Sequence, residues 1–317
     1  MVRSYDARTQ THLIRDSRLP MHGLAGENES QFPRASRDAD PLLVEAALLR
    51  ARPGFSQAVR AYTASLVRFR GSLQLANKLL AQETRFRTLR LLLYLDADHE
   101  RYGPNGGATY GRLLELCTRR KEISPRVLKT VLALLSLTGF VETRRSDTDR
   151  RLKFYRPTAR MLAYAKQRIA LALEALDIAQ PEIRRMQMLQ DNPDLIRQVL
   201  ASAGREHIRG APLADRMPDF MSFFGGREGA APIVYTIMLA DIDDTVPPSR
   251  AEMARRYALS KSQVSNVIAQ GEALGYFALD AAGAPSATPH LRDHFARWIS
   301  IDLAFHARHM GPASLGY

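Results

Sequence analysis

The sequence predicts a mainly α-helical fold with small β-hairpins, an α+β architecture in which one helical unit occurs twice and is joined and flanked by packing helices. Three observations predict it. An internal repeat at an offset of about 136 residues aligns residues 124–141, SPRVLKTVLALLSLTGFV, without gaps on residues 260–277, SKSQVSNVIAQGEALGYF, and self-similarity at long period marks duplicated structural units. Each copy has two helical segments upstream and a short strand-like stretch downstream, in the same order. Elsewhere the apolar residues recur at helical spacing, as Val59, Tyr62, Leu66, Phe69, Leu73 and Ala76 do.

Bulk properties bound the reading. A chain of 317 residues exceeds a usual single core, so two domains with connecting helices are expected. The strongest apolar run, residues 89–95, stops far short of a membrane span, and no transmembrane helix is expected. A formal charge of +12 favours a polyanionic partner. The single cysteine, Cys117, excludes an intrachain disulfide and a cysteine-cluster metal site and suits a reducing cytoplasm. It sits among Leu113, Leu114 and Leu116, so a buried small side chain is expected. The N-terminus has no apolar signal core, and Asp6, Asp16 and Glu27 argue against an acid-poor transit peptide. A cytoplasmic, nucleoid-associated protein is the expectation.

In chain order, residues 1–40 have few apolar side chains and are punctuated by Pro20, Gly23, Gly26 and Pro33, which predicts a disordered tail. Residues 41–84 read as N-terminal helices, starting PLLVEAALLRAR. Residues 85–157 form the first unit: an apolar helix RFRTLRLLLYLDAD, a second helix TYGRLLELCTRRK opened by Thr109 as N-cap, and a third beginning at Ser124. Residues 158–229 read as linking helices broken by Pro181, Pro193 and Pro212. In the second unit, residues 230–289, APIVYTIMLADIDD precedes PSRAEMARRYAL, where Ser249 and Glu252 stand at capping-box spacing. A C-terminal helix and tail occupy residues 290–317.

The third helix of the first unit carries the chemistry. Ser124 caps it, and Pro125 takes the first helical position, where its missing N–H costs nothing. Leu128, Val131, Leu132 and Leu135 fall on one face, leaving Arg126, Val127, Lys129 and Thr130 on the other, near the end that reads base edges in a major groove. Gly139 supplies a left-handed residue after the helix, Phe140 to Thr143 reads as a strand, and RRSDTDRR forms the tip of a hairpin returning through LKFYRP, where Leu152 and Phe154 alternate with Lys153 and Tyr155. Between Arg119 and Lys153 lie ten basic and four acidic residues, half the net charge of the chain. Phosphate contact is the economical explanation, with Arg119, Arg120, Lys121, Ser124, Arg144, Arg145, Arg150, Arg151 and Lys153 as backbone-holding candidates. In the second unit Val264, Val267 and Ile268 face inward and Ser262, Gln263, Ser265 and Asn266 face out as base-reading candidates, on a helix capped by Ser260 and followed by Lys261, both candidate backbone contacts. The hairpin expected there, ALDAAGAPSATP, holds no Lys or Arg, so this unit grips phosphate less.

Ser124-Pro125, Gly139-Phe140-Val141 and Asp147-Thr148-Asp149-Arg150-Arg151 together resemble the DNA-binding domain of MarR-type regulators: a Ser-Pro-opened recognition helix, a Gly-Leu-Val-like turn and an Asp- and Arg-rich wing. The resemblance covers roughly residues 55–178, and a fainter version covers about 182–309. It implies two winged helix-turn-helix units that read the major groove while the wing meets the minor groove. The wing is one residue shorter than the family's usual run, which leaves the minor-groove arginine open between Arg150 and its neighbours. Family members usually hold one unit per chain and pair as dimers, so either a homodimer or an intrachain pseudo-dimer is implied, and the resemblance admits a small-molecule effector among the flanking helices.

The function expected is a sequence-specific, double-stranded DNA-binding transcriptional regulator. A replication-initiator-like DNA-binding protein and a winged-helix protein-interaction scaffold are the alternatives. Catalysis finds little support. His294, His306 and His309 lack a carboxylate in metal-ligand register, Asp241, Asp243 and Asp244 suit the acidic end of a helix, and GPNGGATYG lacks the Gly-Lys-Ser/Thr ending of a phosphate loop. No enzyme activity, metal or cofactor is expected. Leu134 and Leu137 are expected to contact a flanking helix.

Overall fold

The helices of the two repeated units begin at side-chain caps on Ser124, Thr158, Ser249, Ser260 and Thr288, and the third helix of each unit ends just before a left-handed glycine. A computed structural model of the chain describes residues 40–72, 83–103, 107–118, 123–145, 152–209 and 213–310. The tail expected over residues 1–40 lies outside the described residues except for Asp40, whose carboxylate accepts from Leu42 N–H at 2.9 Å and caps α1 (Pro41–Arg50). After α2 (Phe55–Ser72) come α3 (Glu83–Ala97), α4 (His99–Tyr102), α5 (Tyr110–Thr118), α6 (Pro125–Leu137), β1 (Val141–Arg145), β2 (Lys153–Pro157) and α7 (Ala159–Ala179). The linking stretch forms α8 (Arg185–Asp191), α9 (Leu195–Arg209), a 3₁₀ turn (Leu213–Arg216) and α10 (Pro218–Phe224). The second copy is α11 (Ala230–Ile242), α12 (Arg250–Tyr257), α13 (Lys261–Ala273), β3 (Phe277–Leu279), β4 (Pro285–Ala287) and α14 (Pro289–His309). The fold is thus mainly α with two small antiparallel hairpins, as the sequence predicts.

The repeat extends to individual hydrogen bonds. Ser124 and Ser260 both cap 13-residue helices from extended backbone. Those helices end at Gly139 and Gly275, with φ of 71° and 73°, a conformation that side chains with a Cβ disfavour. Phe140 N–H then donates back to Leu135 O at 2.9 Å and Tyr276 N–H to Gly271 O at 2.8 Å. After each hairpin a threonine closes the unit: Thr158 Oγ1 donates to Gly139 O at 2.7 Å, and Thr288 Oγ1 to Gly275 O at 2.6 Å. Each threonine also caps a 21-residue helix, α7 or α14.

Two hydrophobic clusters hold the chain. One centres on the first unit, where it joins Leu89, Leu92 and Leu95 of α3 to Leu113, Cys117, Leu128, Leu132, Leu135 and Val141, and extends to Phe69 of α2 and Met161 and Tyr164 of α7. Cys117 is buried there, as expected. The larger cluster gathers α1, α2, the far half of α7, the linking helices and the second unit around Tyr62, Leu173, Phe220, Phe223, Ile233, Val264, Phe295 and Ile299. The repeat-equivalent helices α7 and α14 pack on each other, α2 packs on α7 and α11, and α9 packs on α3. All described residues belong to one compact unit, Ala39–Tyr317.

Inside that larger cluster sits an ionic knot. Arg168 of α7 donates to Asp302 Oδ2 of α14 at 3.0 Å and also to the Tyr62 hydroxyl, which itself donates to Asp302 Oδ2 at 2.6 Å. Burial pushes the Tyr62 phenol well up. Burial alone would raise Asp302 too, but Arg168, His306 and the hydrogen bonds from Tyr62 and Arg168 outweigh it and hold the carboxyl below its usual range. Among the described residues no helix is long and apolar enough to cross a membrane, and no group of three or more His, Cys, Asp or Glu side chains is placed to hold a metal ion.

Candidate nucleic-acid interface

The N-terminal half of α6 divides as its sequence pattern requires. Leu128, Val131, Leu132 and Leu135 are buried, while Arg126, Val127, Lys129 and Thr130 are exposed. Ser124 Oγ accepts from Val127 N–H at 3.3 Å, so the hydroxyl is occupied as the cap. Thr130 Oγ1 donates to Arg126 O at 3.1 Å, one turn back. The Arg126 guanidinium makes no hydrogen bond or ion pair with the described residues.

Sequence reasoning missed Tyr110, the first residue of α5. Its hydroxyl donates to Pro125 O at 3.4 Å, and Lys129 Nζ lies 5.7 Å from the centre of its ring, a cation–π contact that restrains the lysine beside Arg126. Arg250, the first residue of α12, holds the corresponding place in the second unit: its guanidinium donates to Ser265 Oγ at 3.5 Å, and Ser265 is the repeat equivalent of Lys129. The 136-residue offset pairs Lys129 with Ser265, whereas Tyr110 and Arg250 lie 140 residues apart and correspond only as the first residues of their helices, so the repeat as aligned could flag one end of these contacts and not the other.

The hairpin beside α6 pairs Val141 with Pro157, Thr143 with Tyr155, Arg144 with Phe154 and Arg145 with Lys153. Arg145 and Lys153 therefore stand directly opposite on one face, an arrangement that costs stability unless an anion answers it. Arg144 is paired with Glu142 at 2.7 Å, both side chains exposed. A third extended segment also joins the sheet, with Tyr155 N–H donating to Ala108 O at 2.8 Å and Thr109 bridged to Phe154. Leu152, expected to alternate with polar neighbours, is 44% exposed. Arg160 reaches from α7 to the Thr138 carbonyl at 2.7 Å and lies over the Phe140 ring, so this cation closes the end of α6. Arg119, Arg120, Lys121, Arg150 and Arg151 lie outside the described residues.

The second unit presents a different surface. Ser262 and Asn266 are exposed on α13, whereas Gln263 and Ser265, expected to face out, are half-buried. Gln263 Oε1 accepts from Ser260 N–H at 2.8 Å and its own N–H donates to Ser260 Oγ at 3.1 Å, a complete capping box. The Ser-x-x-Gln spacing announces that box in the sequence as plainly as Ser249 to Glu252 does. Ser260 and Lys261 are exposed. The hairpin β3–β4 has no cation of its own, yet Arg250 Nη2 donates to Gly283 O at 2.9 Å and brings a guanidinium to its tip.

The remaining candidates serve the scaffold. Asp241 binds Arg292 through two hydrogen bonds of 2.6 and 2.8 Å, and Asp243 binds Arg60 at 2.6 Å. His306 contacts Asp302 O at 2.7 Å through Nδ1, and buried His309 contacts Ser202 Oγ at 2.9 Å. Leu134 packs on the first-unit core. Leu137, expected to contact a flanking helix, is instead 84% exposed among the described residues, because it stands nine positions beyond buried Leu128, on the opposite side of a 3.6-residue helix.

Comparison with protein-family models, with curated proteins and with solved structures finds no match to this chain.

Proposed function

We propose that the first unit binds double-stranded DNA through α6 and the β1–β2 hairpin, and that the protein is a sequence-specific transcriptional regulator. The observation that carries this reading is the coincidence, on one unit, of a helix whose exposed N-terminal face offers Arg126 and Lys129 with a hairpin that sets Arg145 against Lys153. Arg126, Lys129, Thr130 and the apolar Val127 take the base edges. Arg144, Arg145 and Lys153, with Arg119, Arg120, Lys121, Arg150 and Arg151 from the sequence, hold phosphates. The MarR-like motif of Ser124-Pro125, Gly139 and the acidic and arginine-rich wing supports the same assignment.

The second unit contributes less. Its exposed Asn266 suits adenine and Ser262 is a tolerant contact, Lys261 and Ser260 sit at a helix N-terminus suited to phosphate, and Gln263 is committed to its cap. Packing of α7 on α14 supports an intrachain pseudo-dimer with two unlike reading helices, which suits an asymmetric operator.

The test begins with selection of bound duplexes from a random library by the full chain. On the selected site Arg126→Ala is expected to cost about 1 to 3 kcal/mol and to relax preference at one position, whereas Arg144→Ala weakens selected and random duplexes alike. Equal losses on both duplexes for both variants would reject the assignment.

A further inference from the structure

A groove behind the first hairpin has the composition of a ligand site. Four elements line it: α3 with Leu93, Asp96, Ala97 and the following His99, β2 with Arg156, α7 with Leu162, Ala163 and Lys166, and α9 with Ile196, Arg197 and Leu200 behind Pro193. Its volume is about 400 Å³, within the range of small-molecule sites. The floor is aliphatic, and the imidazole of His99 is the one ring that lines it.

The rim is cationic. Asp96 is taken by Arg156 at 2.8 Å, which closes one wall as a neutral pair. Among the described residues Arg197 has only a 3.8 Å contact with Asp194, whose side chain is 73% exposed. Lys166 makes no ion pair with the described residues and stands one helical turn beyond Leu162, so an ammonium and an apolar side chain share the face of α7 that borders the groove. On α9, Ile196 and Leu200 repeat at the same spacing beside Arg197.

From this juxtaposition we propose that the groove binds an aliphatic monocarboxylate, its head on Lys166 and Arg197 and its chain along Leu93, Leu162, Ile196 and Leu200. A single anionic head matches the cations left over once Asp96 is paired, and a floor that is aliphatic apart from the imidazole of His99 favours an acyl chain over an aromatic body. The space equals roughly a dozen water molecules, which accommodates a chain of about ten carbons. The site stands on its own geometry and does not depend on DNA binding.

Isothermal titration calorimetry of the full chain with octanoate, decanoate and 1-decanol tests this. Affinity is expected to rise about fourfold for each added methylene up to decanoate. The alcohol is expected to bind at least about tenfold more weakly than the acid, as the loss of a charge-assisted contact requires. Lys166→Glu reverses the charge at an exposed position and should weaken decanoate by about tenfold or more. Ala163→Phe, also at an exposed position, should fill the groove and abolish binding. The proposal is overturned if decanoate fails to bind at about 1 mM, if acid and alcohol bind alike, or if both substitutions leave decanoate affinity unchanged.

Discussion

Replacing Asp302 by alanine should be among the most damaging single changes in the chain, and the structure sets its size. Asp302 is 6% exposed and accepts from Arg168 at 3.0 Å and Tyr62 at 2.6 Å. At an effective dielectric of about 20, unit charges at that separation attract by about 5 kcal/mol before desolvation is counted. Removing the carboxylate leaves the Arg168 guanidinium, whose side chain is 19% exposed, without its countercharge, which costs about 3 to 5 kcal/mol in fully buried pairs and sets the upper range here. Exchanging both partners for apolar residues, as in Arg168→Met with Asp302→Leu, removes the charge and its partner together and should recover much of the loss. Urea unfolding followed by circular dichroism measures both, with the midpoint shifting and the slope preserved. A loss below about 1 kcal/mol for Asp302→Ala, the range of an exposed ion pair, would refute the reasoning, as would a double variant far less stable than the single one.

Further consequences concern packing and pH. A Cβ on Gly204 of α9 would collide with the Cβ and ring of buried Tyr94, so Gly204→Ala should destabilise by about 1 to 3 kcal/mol where an ordinary helical glycine would gain from alanine; thermal unfolding distinguishes the two signs. The hydrogen bond from His309, then those from Arg308, hold Glu206 down at about 2 against an ordinary 4.5. Its folded value lies below its unfolded one, so its contribution is complete above pH 4.5 and fades as pH falls toward 2, and Asp302, also lowered, adds in the same direction. Urea midpoints should therefore fall on acidification through that window, and Glu206→Gln should flatten the dependence. Ser124→Ala removes the side-chain cap of α6 and is expected to cost about 1 kcal/mol, while Ser260→Ala removes only the hydroxyl half of its capping box, keeps the bond from Ser260 N–H to Gln263 Oε1 and should cost no more; denaturant midpoints of the two variants test the ranking.

Local chemistry made most of the fold legible. Ser124-Pro125, Gly139 and the 3.6-residue apolar spacing each act within a few residues, and α6, its turn and β1 follow from them. The duplication was legible for the same reason, since it preserved the capping serine and the glycine at matching offsets. What sequence reading missed depends on separations it does not rank. Tyr62, Arg168 and Asp302 are distributed over three helices, and nothing in their local patterns selects one another. Arg250 belongs in sequence to α12 but serves the β3–β4 tip, so a hairpin judged free of cations has one. Gln263 is a different kind of miss, because two roles compatible with one residue competed and the nearer backbone donor took it.

The salt dependence of duplex affinity tests the central claim most directly. If Arg144, Arg145 and Lys153 replace counterions on a duplex, log affinity should fall against log salt with a slope of about −2.7, at about −0.9 for each phosphate neutralised, and more steeply as Arg119, Arg120, Lys121, Arg150 and Arg151 add to them. Affinity independent of salt, or no duplex binding even at low ionic strength, would contradict it.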